Sequence, residues 1–285
     1  MAIHLDIDLL RTFTVIAETR ALNRAAGRIG RTQAAISMQV KRLEEIVNQP
    51  LLKRTGRGVV LTSHGERLLV HAQKLLRYHD ETLADLSGKG LSGSIRFGCP
   101  DDYAAVFLPH LLRGFAVLHP QVLVEVFCAS TPRLLERLKD HALDLALISI
   151  PETETGESVI RHEALVWVGY KGSNAVNLDP LQLALSDPDT LDHQAARECL
   201  DRSGKSYRVA YASGSIAGLT AVVRSGQAIA VLTQTAVPRD LHILPVNSGL
   251  PSLPRVGITL RMNNEQPPLL INAFAEHIRE VLPTI

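Results

Sequence analysis

The sequence predicts three units in order: a small, mainly helical N-terminal domain, one long helix, and a larger C-terminal α/β domain with two lobes. Within residues 1–63, three short amphipathic patterns precede two β-like runs around a glycine turn. A helical pattern then continues without interruption over 64–87, and a hinge rich in Ser and Gly ends this unit at about residue 90. Over 91–285, strand and helix patterns alternate, which is typical of an α/β domain.

The composition is that of a globular protein in a reducing compartment. Hydrophobic residues make up 46% of the 285 and charged residues 21%, and no apolar run approaches the roughly 20 residues that a membrane helix needs. Residues 1–8 lack the basic and apolar regions of a signal peptide. Three cysteines, Cys99, Cys128 and Cys199, are too few for a disulfide framework. We therefore expect a cytoplasmic protein with no membrane segment.

Charge is distributed unevenly along the chain. Residues 1–64 contain 10 Lys or Arg and 5 Asp or Glu, whereas the remaining residues contain 20 and 24. A basic N-terminal unit attached to an acidic body favours a polyanion such as nucleic acid as the partner. Charge alone leaves open the alternative of a basic domain that binds no anion.

Apolar spacing predicts two helices at the start of the N-terminal domain. The first covers 7–19 with Asp6 as its N-cap, and its apolar residues form a core-facing side. The second starts at the N-cap Asn23 and ends at Ile29, and its paired alanines allow a close crossing with a neighbouring helix.

A third helix is predicted over 33–47, with Thr32 as its N-cap. Its apolar residues recur at the spacing of a buried stripe, and they are Ile36, Val40, Leu43 and Val47. The outward face near its N-terminus mixes amide, apolar, hydroxyl and cationic side chains, namely Gln33, Ala34, Ser37, Met38 and Lys41. In a helix-turn-helix, residues at these positions read base edges in the major groove. The alternative is a solvated face of a helical hairpin.

Two strand-like runs within 51–61 enclose a glycine turn, which predicts a wing. Arg54 and Arg57 flank this turn and would lie beside the sugar-phosphate backbone of DNA. Arg31 and Lys41 are further candidates for phosphate contacts. The N-terminal domain is therefore predicted to be a winged helix-turn-helix that binds double-stranded DNA.

This domain also resembles the DNA-binding domain of LysR-type transcriptional regulators. The residues that carry the resemblance are Phe13, Ala25-Ala26, Thr32-Gln33, Ile36-Ser37, Leu43-Glu44-Glu45, Pro50-Leu51, Leu61-Thr62 and Gly65. The resemblance implies a homodimer joined by the long helix, a tetramer of two such dimers, and a C-terminal effector domain built like a periplasmic solute-binding protein. Two positions depart from the family pattern: Ala34 stands where Pro or Ser is common, and Met38 where a polar or basic residue is common. We therefore expect a base preference that differs from that of relatives.

The long helix is predicted to open at a capping box formed by Ser63 and Glu66. Two apolar stripes run along it, one through Leu68, Ala72, Leu75, His79 and Leu86, and the other through Leu69, Leu76 and Leu83. Two stripes predict more than one packing face, and pairing with the same helix of a second copy would cover one of them. Packing against its own chain is the alternative.

The C-terminal domain begins with a βαβαβ order, which predicts a parallel sheet covered on both faces. Its strands are predicted at 95–99, 122–128 and 143–150, and its helices at 104–118 and 132–140. A second series has strands at 164–170, 182–186, 207–212 and 228–233 and helices at 190–201 and 215–225, followed by strands at 241–246 and 256–262 and a helix at 267–282. We assign about 91–163 and 265–285 to the first lobe and about 164–264 to the second. The return of the terminal segment to the first lobe is implied by the resemblance.

Open α/β sheets bind ligands at the carboxyl ends of their strands, and this rule selects the candidate effector contacts. They are Cys99, Asp101, Asp102, Tyr103, Ser130 and Thr131 in the first lobe and Ser213, Gly214 and Thr233 in the second. Asp101 and Asp102 would repel an anion, which favours an effector that is neutral, hydroxyl-bearing or cationic. The alternative is that one of the two only caps the helix that follows.

Cys99 and Cys128 end neighbouring predicted strands, so a thiol redox sensor is a further hypothesis, with plain packing of the thiols as the alternative. The sequence contains no glycine-rich phosphate loop, no metal-ligand spacing and no nucleophile motif. We therefore expect no catalytic residues, no metal and no cofactor. The predicted function is transcriptional regulation by a DNA-binding protein under the control of a small-molecule effector. The rivals are a solute-binding protein whose N-terminal domain only dimerises and, third, a metabolic enzyme.

Overall fold

The structure is a computed structural model that describes residues 4–56, 58–87, 90–153, 158–264 and 267–285. The chain divides into two compact units, Met1–Gly93 and Ser94–Ile285. Among the described residues, no helix combines the length and the apolar character needed to cross a membrane.

The N-terminal unit contains four helices and a two-stranded sheet in the predicted order. The elements are α1 (Ile7–Thr19), α2 (Leu22–Ile29), α3 (Gln33–Val47), β1 (Leu52–Thr55), β2 (Gly58–Leu61) and α4 (Ser63–Ser87). Strands β1 and β2 pair antiparallel and form the predicted wing. Helix α1 lies at the centre of the unit and contacts α2, α3 and α4.

Two of the predicted helix N-caps are confirmed and two are wrong. Asp6 accepts a hydrogen bond from the amide of Asp8 at 2.9 Å, and Thr32 accepts one from the amide of Ala35 at 3.2 Å. The N-cap of helix α2 is Ala21, two residues before the predicted Asn23, because Leu22 packs into the core as the first helical residue.

At the start of α4 it is Thr62, not Ser63, whose hydroxyl accepts a hydrogen bond from the amide of Gly65, at 3.0 Å. The predicted capping box with Glu66 is therefore displaced by one residue.

The core of the N-terminal unit is built around α1 and the predicted stripe of α3. Leu10, Phe13 and Ile16 of α1 are fully buried, as are Ile36 and Leu43 of α3. Burial of five large apolar side chains at essentially zero exposure contributes roughly 1.5–3 kcal/mol each. This side of α3 is therefore unavailable to a partner, which leaves only its opposite side free to contact DNA.

Where the structure describes it, the C-terminal unit contains a nine-stranded sheet with five α-helices. Its first half comprises β3 (Ser92–Cys99), α5 (Asp101–Leu118), β4 (Gln121–Cys128), α6 (Thr131–Lys139) and β5 (Leu145–Pro151). Then follow β6 (Arg161–Gly169), β7 (Leu181–Leu185), α7 (Leu191–Ser203), β8 (Tyr207–Ala212), α8 (Ile216–Arg224), β9 (Ile229–Thr233), β10 (His242–Ile243), β11 (Arg255–Met262) and α9 (Leu269–Val281).

The sheet is mixed rather than purely parallel. Its strand order is β4-β3-β5-β11-β6-β9-β7-β8, with β10 paired to β6. Strands β3 and β5 are parallel, and so is β7 with both β8 and β9, which confirms the prediction for the βαβ units. Strand β11, however, runs antiparallel to both β5 and β6, and β6 runs antiparallel to β9, so the prediction of a parallel sheet does not hold for these pairs.

Strand β11 joins the two halves of the sheet. It pairs with β5 over Val256–Met262 and with β6 over Arg255–Ile258. The range predicted for the second lobe, 164–264, includes this strand, and the pairing with β5 argues for placing it in the first lobe instead. Helix α9 also packs on the first lobe, where the ring of Phe274 lies 5.3 Å from that of Phe97.

Candidate nucleic-acid interface and effector cleft

The side of α3 that faces away from the core presents the predicted base-reading residues. Gln33 and Ala34 are exposed, Ser37 is half-buried, and the side chain of Met38 is 72% exposed. Thr32, also predicted to contact DNA, uses its hydroxyl to cap the helix. The structure thus brings the four predicted base-reading residues together on the first turns of one helix, where the helix of a helix-turn-helix meets base edges.

Two of the predicted phosphate contacts hold only loose ion pairs. Nη2 of Arg31 lies 3.9 Å from Asp8, and Nζ of Lys41 lies 3.9 Å from Glu45, with both cations exposed. Exposed pairs of this kind are worth little, so a DNA phosphate can replace the carboxylate at small cost. Arg54 lies on β1, but its side chain, like the whole of Arg57, lies outside the described residues.

A cleft of about 210 Å³ lies at the carboxyl ends of strands in the C-terminal unit. Seven of the nine predicted effector contacts line it: Asp101, Asp102, Ser130, Thr131, Ser213, Gly214 and Thr233. Asp101 and Asp102 lie in the first turn of α5, and Thr131 begins α6. They face Ser213 and Gly214, which precede α8, and Thr233, which ends β9. The strand-end rule therefore selected residues that the fold assembles into one cavity.

Two neighbouring aspartates connect the two sides of this cleft. Oδ2 of Asp101, at the start of α5, accepts a hydrogen bond from the amide of Ile216 at 2.9 Å. Oδ2 of Asp102 accepts one from the hydroxyl of Thr233 at 3.2 Å. The alternative that an aspartate caps α5 is wrong, because Pro100 is that N-cap and no side chain completes it. Asp101 instead caps α8, which begins at Ile216 on the opposite lobe.

The environment of Asp102 disfavours its charged form. The pKa of this carboxyl is raised from 3.8 to about 7, first by burial away from water and then by the nearby charge of Asp192, while the hydrogen bond from Thr233 opposes the shift. A carboxyl with its pKa raised this far, on the lining of a cleft, is typical of functional sites.

Two predicted effector contacts do not line the cleft. Cys99 is fully buried, and its thiol points to the carbonyl oxygen of Pro100. Tyr103 is also fully buried, because α5 turns its ring inward onto that of Phe107, 5.2 Å away. Its hydroxyl shares a hydrogen bond of 2.9 Å with Ser149, so it can position that residue without touching a ligand.

The thiols do not favour the redox hypothesis. Burial raises the pKa of Cys99 well above its usual value, and the charges of Cys128, Asp102 and Asp101 act in the same direction. Burial and the charge of Asp101 also raise the pKa of Cys128. Because the thiolate is the reactive form, a pair with raised pKa values reacts slowly with oxidants.

The cleft also contains polar residues that the sequence analysis missed. Ser149 lies within β5, Ser186 directly follows β7, and Asp192 lies in the first turn of α7. The hydroxyl of Ser186 donates a hydrogen bond to Asp192, which holds this carboxylate in place. The strand-end rule applied to β7 would have found Ser186, whereas Ser149 and Asp192 carry no such signal.

The sequence matches two family descriptions that together span most of the chain. Residues 7–66 match "Bacterial regulatory helix-turn-helix protein, lysR family", and residues 88–283 match "LysR substrate binding domain". The chain therefore belongs to the LysR-type transcriptional regulators. It is a DNA-binding regulator of transcription with a two-lobed effector-binding domain.

Among individual proteins, the chain is similar to the HTH-type transcriptional regulator DgdR of Burkholderia cepacia. The two are 64% identical over 281 residues, which cover 99% of this chain and 96% of DgdR. A full-length OxyR variant from Pseudomonas aeruginosa has the same fold, with a TM-score of 0.68 at 19% identity over 97% of this chain and 94% of that one. Full-length CbnR, solved in complex with its target DNA, gives a TM-score of 0.64 at 19% identity over 97% and 99%.

Proposed function

We propose that α3 reads base edges of the target DNA in the major groove, and that the cleft of the C-terminal unit binds the effector that controls this binding. The proposal that α3 reads bases is supported by the side chains on its outward side. A methionine that is 72% exposed beside Gln33 and Ser37 contributes nothing to the core that the opposite side of the helix forms. It is suited to contact a thymine methyl group, while Gln33 can hydrogen-bond adenine.

The test of α3 is the substitution Gln33→Ala. We expect the variant to bind the selected DNA site more weakly by about 1–3 kcal/mol and to lose preference at one base position. The measurement is a selection of genomic DNA fragments by the purified full-length protein, followed by affinity measurements on the recovered site. Gln49→Ala is the matched control, since Gln49 is exposed but follows the end of α3.

The same experiment separates the regulator from its rival. Unchanged affinity and preference in the Gln33 variant would overturn the docking of α3. Recovery of no preferred sequence by the unmodified protein would overturn DNA reading altogether and favour a solute-binding protein.

We further propose that α4 joins two copies of the chain. Ala72 and Leu76 of this helix are buried against the core that includes α1, but Tyr78, Leu83 and Leu86 are 63%, 55% and 79% exposed. The two apolar stripes are thus packed on their own unit at Ala72 and Leu76, whereas the part of the helix towards its C-terminus leaves an apolar surface open. A second α4 would cover it, and two such dimers would form a tetramer.

We also propose that the chain works in the cytoplasm and has no catalytic activity. Its family supports both points, because a regulator must reach DNA and transmits its signal by binding. Among the residues that the structure describes, no three His, Cys, Asp or Glu side chains converge as a metal site. Turnover of a cleft ligand by the purified protein would contradict this proposal.

A further inference from the structure

We propose that the effector carries a protonated amine bound by Asp101 and Asp102, with a short hydrocarbon part against the apolar wall of the cleft. This inference rests on the proposed role of the cleft as the effector site. It goes further because it assigns a charge and a chemical class to a ligand that the fold alone leaves open.

The first argument is the charge of the cleft lining. Four aspartates line it, namely Asp101, Asp102, Asp189 and Asp192, and none of the described lining residues is Lys, Arg or His. Arg133 is next in sequence to the lining residue Pro132, but its guanidinium forms an ion pair with Asp187, with Nη2 3.5 Å from Oδ2. An anionic ligand would therefore meet carboxylates with no compensating cation, whereas a cationic ligand would be attracted to them.

The second argument is that burial disfavours the charged form of Asp102 and no cation among the described lining residues offsets this effect. Among the described residues, the side chain that donates a hydrogen bond to it is that of Thr233, a neutral hydroxyl. A buried carboxylate is most strongly stabilised by a charged donor, and an ammonium group offers three. Each carboxylate has further acceptor positions beyond the one already used, so an amine can bind without breaking the bonds to Ile216 and Thr233.

The third argument comes from the remainder of the lining. Leucines, isoleucine and valine form one wall, namely Leu165, Leu191, Ile216, Leu219, Leu232 and Val256. Such a wall fits a short branched hydrocarbon group. On the other side, Oγ of Ser130 is buried and has no hydrogen-bond partner among the described residues, so a polar ligand atom would satisfy it.

The test uses three probes that share a branched four-carbon group, measured by isothermal titration calorimetry on the full-length protein at about pH 8, above the pKa of about 7 of Asp102. Valine carries an amine and a carboxylate, isobutylamine lacks the carboxylate, and isovalerate lacks the amine. We expect one or both amines to bind and isovalerate not to bind. Binding of valine alone would add a carboxylate subsite to the amine site, and binding of isobutylamine would show that the amine suffices.

The variants Asp101→Asn and Asp102→Asn keep the oxygen that accepts from Ile216 or Thr233 and remove the charge. We expect each to weaken amine binding by about tenfold or more, since hydrogen bonds to charged groups are the strong ones. Asp201→Asn is the matched control, because it makes the same charge change on the exposed end of α7, away from the cleft.

Binding of isovalerate but not of the amines, no binding of either amine at millimolar concentration, or equal amine affinity in both Asn variants and the unmodified protein would overturn the inference. DNA selection on the same preparation keeps the two proposals separate. If the protein selects a DNA site but binds no amine, only the proposal of an amine effector is overturned. If it binds an amine but selects no DNA site, only the proposed role of α3 is overturned.

Discussion

The carboxyl of Asp102 makes the stability of the C-terminal unit depend on pH. Its pKa is raised in the folded state from 3.8 to about 7, mainly by burial and also by Asp192 and Asp101. Between these values the unfolded chain has lost the proton that the folded chain retains, so the free energy of unfolding falls as the pH rises. Below pH 3.8 the contribution of this group is fully present, and above about pH 7 its loss is complete.

Asp102→Asn removes this dependence. We expect the variant to gain stability relative to the unmodified protein as the pH rises from about 4 to about 7, and the difference to level off above that. Urea unfolding of the full-length protein, followed by a signal from Trp167 in the C-terminal unit, measures the free energy at each pH. Asp201→Asn serves again as the control, and a difference that stays constant with pH would contradict the prediction.

At the scale of elements, the wing is held to the start of α4 by a close backbone approach at Gly65. A Cβ atom at this position would lie 2.1 Å from the carbonyl oxygen of Leu51, which is main chain and cannot rotate away. The hydroxyl of Thr62 also donates to the carbonyl oxygen of Pro50, at 2.7 Å. The approach therefore depends on the absence of a side chain at Gly65.

Gly65→Ala is expected to destabilise the N-terminal unit by about 1–3 kcal/mol, because the extra methyl group forces the wing away from α4. Gly27→Ala is the matched control: it lies in α2 with nothing within 4 Å of the added atom, and should stabilise the unit by roughly 0.5–1 kcal/mol. Thermal unfolding of both variants, followed by circular dichroism, gives the comparison. Equal effects of the two substitutions would contradict the close approach.

The elements also show which parts of the fold the sequence could predict. Of the predicted stripe, Ile36, Val40 and Leu43 are buried and Val47, at the end of the helix, is partly buried, because helical periodicity decides which side of α3 faces the core. The first residue of α2 was misplaced, because packing of Leu22 outweighed the capping preference of Asn23.

Within the cleft, the strand-end rule finds residues by their position along the chain but not by the direction of their side chains. The rule includes Tyr103 although α5 rotates that ring into the core, and it cannot find Ser149 inside a strand or Asp192 on a helix. Those two depend on which strands and helices become neighbours, which only the three-dimensional structure provides.

At the scale of the whole molecule, the exposed apolar side of α4 predicts how two copies meet. Leu83→Glu would place a carboxylate in the proposed contact between two α4 helices, and we expect it to raise the dimer dissociation constant by about tenfold or more. Sedimentation equilibrium of the full-length protein measures this constant. Gln73→Glu adds a charge at an exposed polar position of the same helix and should leave it unchanged. A Leu83 variant that still dimerises like the unmodified protein would show that the contact lies elsewhere.

The bonds that Asp101 and Asp102 form across the cleft bear on how a signal could leave it. The two carboxylates that would bind the proposed amine are the ones that accept hydrogen bonds from Ile216 and Thr233. A different spacing of the lobes would change these hydrogen bonds, and an amine bound to the same carboxylates would then have a different affinity for each spacing. Such a difference in affinity is what allows a ligand to shift a conformational equilibrium. Recognition and response then share one pair of carboxylates, and no relay of intervening side chains is required between them.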